Sequence, residues 1–218
     1  MSEIYGDTQR ALQDKFEARK LADKVAEVII HDEVMDDEKA FIESRDFFFL
    51  TTINETGHPT VSHKGGAPGF VQVADGNTLV FPSYDGNGMY LSMGNIAARN
   101  KIGMLFIAFD TPHRIRVHAT AELSDDPAWK EKFPGCELVV KAKIDQMWMN
   151  CPRYIHPHKR LDQSRYVPDA NGDAPMPAWK RIDIVQEDLQ PKDLGRAEKE
   201  GGVITFEQYV EKLKDGTA

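Results

Sequence analysis

Apolar positions recur along this chain at two spacings, and the change from one to the other divides it. Over residues 8–30, Leu12, Phe16, Val25, Val28 and Ile29 fall near one face of a helix, with acidic and basic residues interleaved on the other. The spacing predicts one amphipathic helix with Asp7 or Thr8 as N-cap. A second helix is expected over 36–45; it carries Phe41 and Ile42 and opens on Asp36, Asp37 and Glu38, which suit a helix N-terminus. From residue 47 the period drops toward two. Residues 47–53 (FFFLTTI) read as a buried strand, and a turn over Asn54, Glu55, Thr56 and Gly57 leads to a strand at 60–63. Strands at 69–73 and 78–81 form a hairpin through 74–77, and the nearly all-apolar run 102–109 predicts a central strand. Residues 114–123 alternate, with Ile115, Val117, Ala119 and Ala121 on one face and Arg114, Arg116, His118 and Thr120 on the other. A long strand over 138–149 places Val140, Ala142, Ile144 and Trp148 on one side and Lys141, Lys143 and Asp145 on the other.

The remaining segments are shorter. A helix is expected near 90–99, another over 127–133, and a turn-like stretch over 151–161. The run 168–177, rich in Pro, Gly and Asp, reads as a loop; 179–185 reads as a strand and 206–214 as a small amphipathic tail helix. Closely spaced short strands with few helices predict a mainly β, α+β chain built on a barrel or sandwich. The expected organisation is a helical arm (1–45), a barrel domain (46–160) and a C-terminal loop, strand and short helix packed on the barrel (161–218). The arm must bury its apolar stripe either on its own barrel or across a dimer.

Composition narrows the function classes. The chain has 218 residues and a formal net charge of −8, which argues against non-specific binding to nucleic acid or an anionic membrane. No apolar run approaches the roughly 20 residues needed to span a bilayer. The N-terminus lacks a basic stretch followed by an apolar core, so no leader is expected. Cys136 and Cys151 show no metal-ligand spacing; they either form one structural disulfide or, the expectation here, stay free thiols in a reducing, cytoplasmic setting.

Chemistry concentrates between residues 57 and 123. The strand at 60–63 runs into Lys64, Gly65 and Gly66, and the strand at 78–81 runs into Tyr84, Asp85, Gly86, Asn87 and Gly88 before a helix; corners of this kind bind anions. Lys64 is either a phosphate ligand or an exposed charge at a strand end, and Arg116 either a ligand or one half of an ion pair across the sheet. His63 and His118 are either ligand contacts or structural residues. His156 and His158, flanking Pro157, with His113 elsewhere, do not form a usual metal pattern, and no metal is expected. Cys151 has no evident base beside it and reads as an ordinary thiol. Trp179 either covers a ligand pocket or anchors the tail.

Taken in order, Phe41 to Ile53, Gly57 to Gly65, Pro68 to Val71, Asp85 to Gly88, Arg114 to Val117 and Asn150 to Ile155 resemble the pyridoxamine 5′-phosphate oxidase-like flavin-binding split barrels, over roughly residues 40–155. The resemblance implies a six-stranded Greek-key split barrel, a homodimer, and FMN in clefts at the subunit interface. By position it implies that Ser62, His63, Lys64 and Gly65 line the flavin and reach its phosphate. Phe81, Pro82 and Ser83 would meet the ring or ribityl chain, and Asn87, Gly88, Met89 and Tyr90 would form the turn facing the phosphate. Arg114 and Arg116 would lie on a strand contributed to the cleft. One departure matters: many relatives carry Arg or Lys just after the Gly-Asn turn, and this chain has Gly88 and Met89. Either Lys64, Arg99 or an arginine of a second subunit substitutes, or FMN is held weakly. The implied activity is that of an FMN-dependent oxidoreductase of unassigned small-molecule substrate, with NAD(P)H as donor and no catalytic acid or base identified. The alternative is a non-catalytic flavin- or haem-binding protein. Trp179, Lys180, Arg181 and Ile182 match the arginine-containing substrate segment of the vitamin B6 oxidases only loosely.

Overall fold

A computed structural model describes residues 4–218; the first three residues of the expected arm lie outside it. Two compact units are present, residues 1–162 and 163–218.

The first unit is built on one antiparallel sheet of seven strands in the order β2-β1-β5-β6-β7-β4-β3. The strands are β1 (Phe47–Ile53), β2 (Pro59–Gly65), β3 (Gln72–Asp75), β4 (Thr78–Tyr84), β5 (Lys101–Ala108), β6 (His113–Ser124) and β7 (Cys136–Asn150). The count exceeds the six implied by the resemblance, because the four-residue β3 pairs with β4 at one edge. The β1–β2 turn is closed by Asn54, whose side-chain oxygen accepts from the backbone of Thr56 and His58, while Gly57 takes a positive φ of 93°.

Phe48 of β1 and Phe81 of β4 touch at 5.0 Å between ring centroids, although three strands separate β1 from β4 in the sheet. The sheet therefore curls around an inner core, in which Phe48 also meets Phe70 and Phe106 at 5.9 and 5.2 Å. Leu50, Met104, Ile115, Val117, Ala142 and Met147 complete its centre. The alternation read for β6 holds, with Ile115, Val117, Ala119 and Ala121 all buried.

On β7 the expected alternation fails after Ile144. The register passes from Ala119↔Ile144 to His118↔Gln146, so Asp145 is an extra residue, a β-bulge. The bulge reverses parity: Met147 enters the core, and Trp148, expected beside Ile144, turns to the outer face against His118 at 4.9 Å.

The helical arm also differs from its sequence reading. Two helices replace one, α1 (Asp7–Lys15) and α2 (Arg19–Ile29), broken where Glu17 takes a left-handed conformation with φ 53°. Arg19 bridges the break with two hydrogen bonds to the Asp14 carboxylate, at 2.5 and 2.6 Å. Three more helices belong to this unit: α3 (Asp36–Glu43), α4 (Leu91–Ala98) and α5 (Pro127–Lys132), the last capped by Asp126.

In the second unit the strand expected over 179–185 is replaced by two 3₁₀ turns, Ala178–Arg181 and Asp183–Asp188. Only Ile182 is extended, in a single parallel bridge to Ile204. The turns are favoured because Lys180 is buried and its ammonium meets the Asp193 carboxylate at 2.7 Å. Gln186 donates to the carbonyls of Lys180 and Ile182, tightening the same corner. Trp179 packs on Ala178, Ile182 and Ile204, the anchoring role among its two readings. Two helices follow, α6 (Arg196–Lys199) and α7 (Phe206–Lys214), and Thr205 and Gln208 cap α7 reciprocally.

Candidate functional site

Strand parity sorts the expected site residues onto two faces. Ser62 pairs with Leu50 and Lys64 with Phe48, so both side chains belong to the core face of the edge strand β2. His63 pairs with Phe49, Phe49 with Leu105, Leu105 with Arg116 and Arg116 with Trp148, a row across the outer face. Arg114 shares that outer face, opposite Asn150. Within one chain, Lys64 and the two arginines therefore point to opposite sides of the sheet.

The inner-face group is compact. The hydroxyls of Ser62 and Ser92 meet at 3.0 Å, joining β2 to the first turn of α4. Asn95 donates to the Thr52 hydroxyl at 2.9 Å and fixes the same helix over β1. The α4 N-terminus has no side-chain cap and no acidic residue in its first turn, so its leading N–H groups carry an uncompensated partial positive charge. Lys64 is half-buried, and it makes no hydrogen bond or ion pair among the described residues. Burial pushes its pKa below the ordinary 10.5. An ammonium, two hydroxyls and a bare helix N-terminus form a donor set suited to a phosphate. Ser92 escaped sequence reading; a hydroxyl in the first turn of a helix that follows a glycine-rich turn was its only signal.

Other expected residues sit differently. Gly65 and Gly66 serve close packing: a Cβ on Gly66 would lie 2.5 Å from the Phe70 ring, and one on Gly65 would lie 2.9 Å from the His63 ring. The Gly66 N–H is already donated to the Asp46 carbonyl, so it is not available to an anion. Phe81 is fully buried in the core and Pro82 is buried, while Ser83 falls on Phe81's side of β4. Asn87, Gly88, Met89 and Tyr90 form an exposed turn, in which Asn87 accepts from the Met89 N–H at 3.1 Å. Tyr90 takes a left-handed conformation and donates its hydroxyl to Glu137 at 2.9 Å.

The outer face holds a second polar group. Arg114 Nε and Asn150 Oδ1, on directly paired residues, are buried without a hydrogen-bond partner among the described residues. Burial pushes the His118 imidazole pKa down; Asp145 opposes that shift and Arg116 reinforces it. A cleft of about 470 Å³ opens where Gly103 leaves room between Thr51 and His118. At its end Lys101 meets Asp145 at 3.0 Å, and the Thr120 hydroxyl donates to the same carboxylate. Among the described residues no three His, Cys, Asp or Glu side chains converge as metal ligands, and no helix is long and apolar enough to cross a membrane.

The family model for pyridoxamine 5′-phosphate oxidase matches residues 34–154. No curated protein matches the chain. Among solved structures, a Lactobacillus delbrueckii protein provisionally described as a pyridoxamine 5′-phosphate oxidase is 22% identical, with a TM-score of 0.43 over 54% of this chain and 95% of that one. HupZ from Group A Streptococcus is 15% identical, with a TM-score of 0.44 over 53% of this chain and 93% of that one. HutZ, the heme storage protein from Vibrio cholerae, is 17% identical, with a TM-score of 0.39 over 53% of this chain and 94% of that one.

Proposed function

The chain belongs to the pyridoxamine 5′-phosphate oxidase family, and from that premise we propose that it is an FMN-dependent oxidoreductase acting as a homodimer on a small molecule. The observation that carries the reading is Lys64, a half-buried ammonium without a partner among the described residues, on the same face of β2 as Ser62, whose hydroxyl meets Ser92 at the bare N-terminus of α4. Burying an unpaired charge is costly, and an anionic ligand removes that cost. The residues fit a flavin phosphate: Lys64 compensates its charge, Ser62 and Ser92 offer hydroxyls, and the leading N–H groups of α4 complete the cradle.

When bound, FMN supplies two-electron hydride chemistry, which needs no protein nucleophile. The protein's part is to bind and orient. Ser83, on the inner side of β4, and the exposed turn from Asn87 to Tyr90 flank the same corner. Arg114 and Arg116 face away from their own Lys64, so in this reading they serve the cleft of the second copy in a split-barrel dimer. Met89, 62% exposed where relatives place a cation, leaves the phosphate one charge-assisted contact short. The free thiols of Cys136 and Cys151 suit a reducing cytoplasm.

The test is the absorbance spectrum of the purified protein and the mass of whatever heat releases. The reading expects a flavin spectrum, a released mass matching FMN, and bleaching by NADH or NADPH with reoxidation by oxygen or a dye. Flavin held but never turned over would leave a binding protein. A Soret band would mean a haem protein. A colourless protein that also fails to take up added FMN would remove the proposal.

A further inference from the structure

The hairpin of α1 and α2 is amphipathic, and none of its residues is buried among the described residues of its unit. Leu21, Val25 and Val28, spaced i, i+4 and i+7 on α2, are 69%, 41% and 66% exposed; Leu12 and Phe16 are also exposed. Helices of nine and eleven residues are too short to be stable alone in water. The ion pairs Arg19–Asp14 and Arg10–Asp23 hold the two helices together, but such exposed pairs contribute little. The hairpin therefore needs a cover that the described residues of its own unit do not provide.

The place where the hairpin is anchored indicates what that cover is. His31, two residues beyond α2, exchanges two backbone hydrogen bonds with Met147 of β7, at 3.1 and 2.7 Å. The residues on either side of Met147, Gln146 and Trp148, turn to the outer sheet face, paired with His118 and Arg116. That face is itself short of cover: Val61 is 65% exposed, Ile53 is at the surface, and Phe49 and Leu105 are half-buried. The hairpin is thus tethered to β7, the strand that carries Gln146 and Trp148 on the same outer sheet face. The rims of the two surfaces differ in charge. Asp32, Glu33 and Asp36, exposed beside the anchor, have no ion pair among the described residues, whereas Arg116 stands exposed on the sheet face. An isologous two-fold contact covers both surfaces at once and brings opposite rims together.

We propose that the α1–α2 hairpin is a clasp that lays its Leu21, Val25 and Val28 stripe on the second copy of this chain, next to the outer sheet face. The inference rests on the homodimer reading above and extends it to a segment outside the residues matched by the family model. The clasp closes each copy over the other, so removing its apolar contacts weakens the dimer and leaves each sheet folded.

The experiment compares the full-length protein with V25R/V28R by sedimentation equilibrium, alongside far-UV circular dichroism and thermal unfolding. Arg has higher helix propensity than Val, so the variant does not act by melting α2. The expected result is a wild-type dimer and a variant whose dimer dissociation constant rises on the order of 100-fold, as for the loss of buried interface side chains, with an unchanged unfolding transition of the isolated monomer. Amine cross-linking of mixed isotope-labelled and unlabelled wild-type protein adds a second readout, in which Lys20 and Lys24 of α2 should link between copies. A dimer unaffected by V25R/V28R and without inter-copy links from α2 would overturn the clasp and leave the dimer standing. A wild-type monomer would overturn both.

Discussion

Replacing Lys64 with methionine keeps most of the side-chain volume and removes the charge, and it should move two measurements in opposite directions. In the ligand-free protein the Lys64 ammonium is half-buried and unpaired, and burial has pushed its pKa down. Because the folded state holds this proton less tightly than the unfolded chain, the charge works against folding below the depressed pKa. That cost fades as pH rises through the depressed value toward the ordinary 10.5. At neutral pH, Lys64→Met should therefore raise the unfolding temperature of the ligand-free protein. Binding moves the other way. All three ammonium donors are free for a ligand, so the variant loses a whole charge-assisted contact of about 1.5–3 kcal/mol. That corresponds to a roughly 10- to 150-fold weaker FMN dissociation constant. Riboflavin, which lacks the phosphate, is the internal control: its affinity should change little. The assay is quenching of flavin fluorescence by titrated protein, with both flavins and both proteins. In the wild type, FMN affinity should also fall on raising pH through the depressed Lys64 pKa, while riboflavin affinity holds. Equal losses for both flavins, or no loss for either, would refute the assignment of Lys64 to the phosphate.

Further outcomes follow from other residues. Met89→Arg restores a cation at the exposed turn before α4 and should tighten FMN about tenfold without affecting riboflavin, as read in the same titration. Asp193→Ala removes the carboxylate that Lys180 and Arg196 share, at 2.7 and 3.2 Å; the change should cost about 1.5–3 kcal/mol, seen in hydrogen exchange as lost protection across 163–218. His118 should titrate below the ordinary 6.5 in an NMR pH series, and Asp145→Asn should lower it further by removing the one influence that raises it. Since the folded His118 binds its proton less tightly than the unfolded chain, it should cost stability as pH falls from about 6.5 through its depressed value.

How far the sequence could be read depended on whether a signal was local. FFFLTTI at 47–53 and FEQYVEKLK at 206–214 form the elements expected of them, because β-branched and aromatic content in one, and an apolar stripe with a Thr cap in the other, act within a few residues. The break at Glu17 carried no such mark. A glutamate in a left-handed conformation stands where Gly or Asn is usual, and the Arg19–Asp14 contact forms only once the chain has turned. The tail shows the converse. A strand-like pattern at 179–185 gave way to 3₁₀ turns because the buried Lys180–Asp193 pair holds this corner. The sequence pointed to the corner at Ser62 and Lys64 but not to Ser92, which lies 30 residues beyond its partner Ser62 and joins it only through the packing of α4 on the sheet.

Local backbone geometry, which repeats every two residues in a strand and every 3.6 in a helix, let the sequence alone determine where β1, β6 and α7 lie and which face of β6 is buried. The pairing of strands far apart in the chain decided the rest. The Asp145 bulge that turns Trp148 outward, the curl that brings Phe48 to Phe81, and the placing of Lys64 and Arg116 on opposite faces are fixed by register and burial, which no stretch of sequence carries by itself.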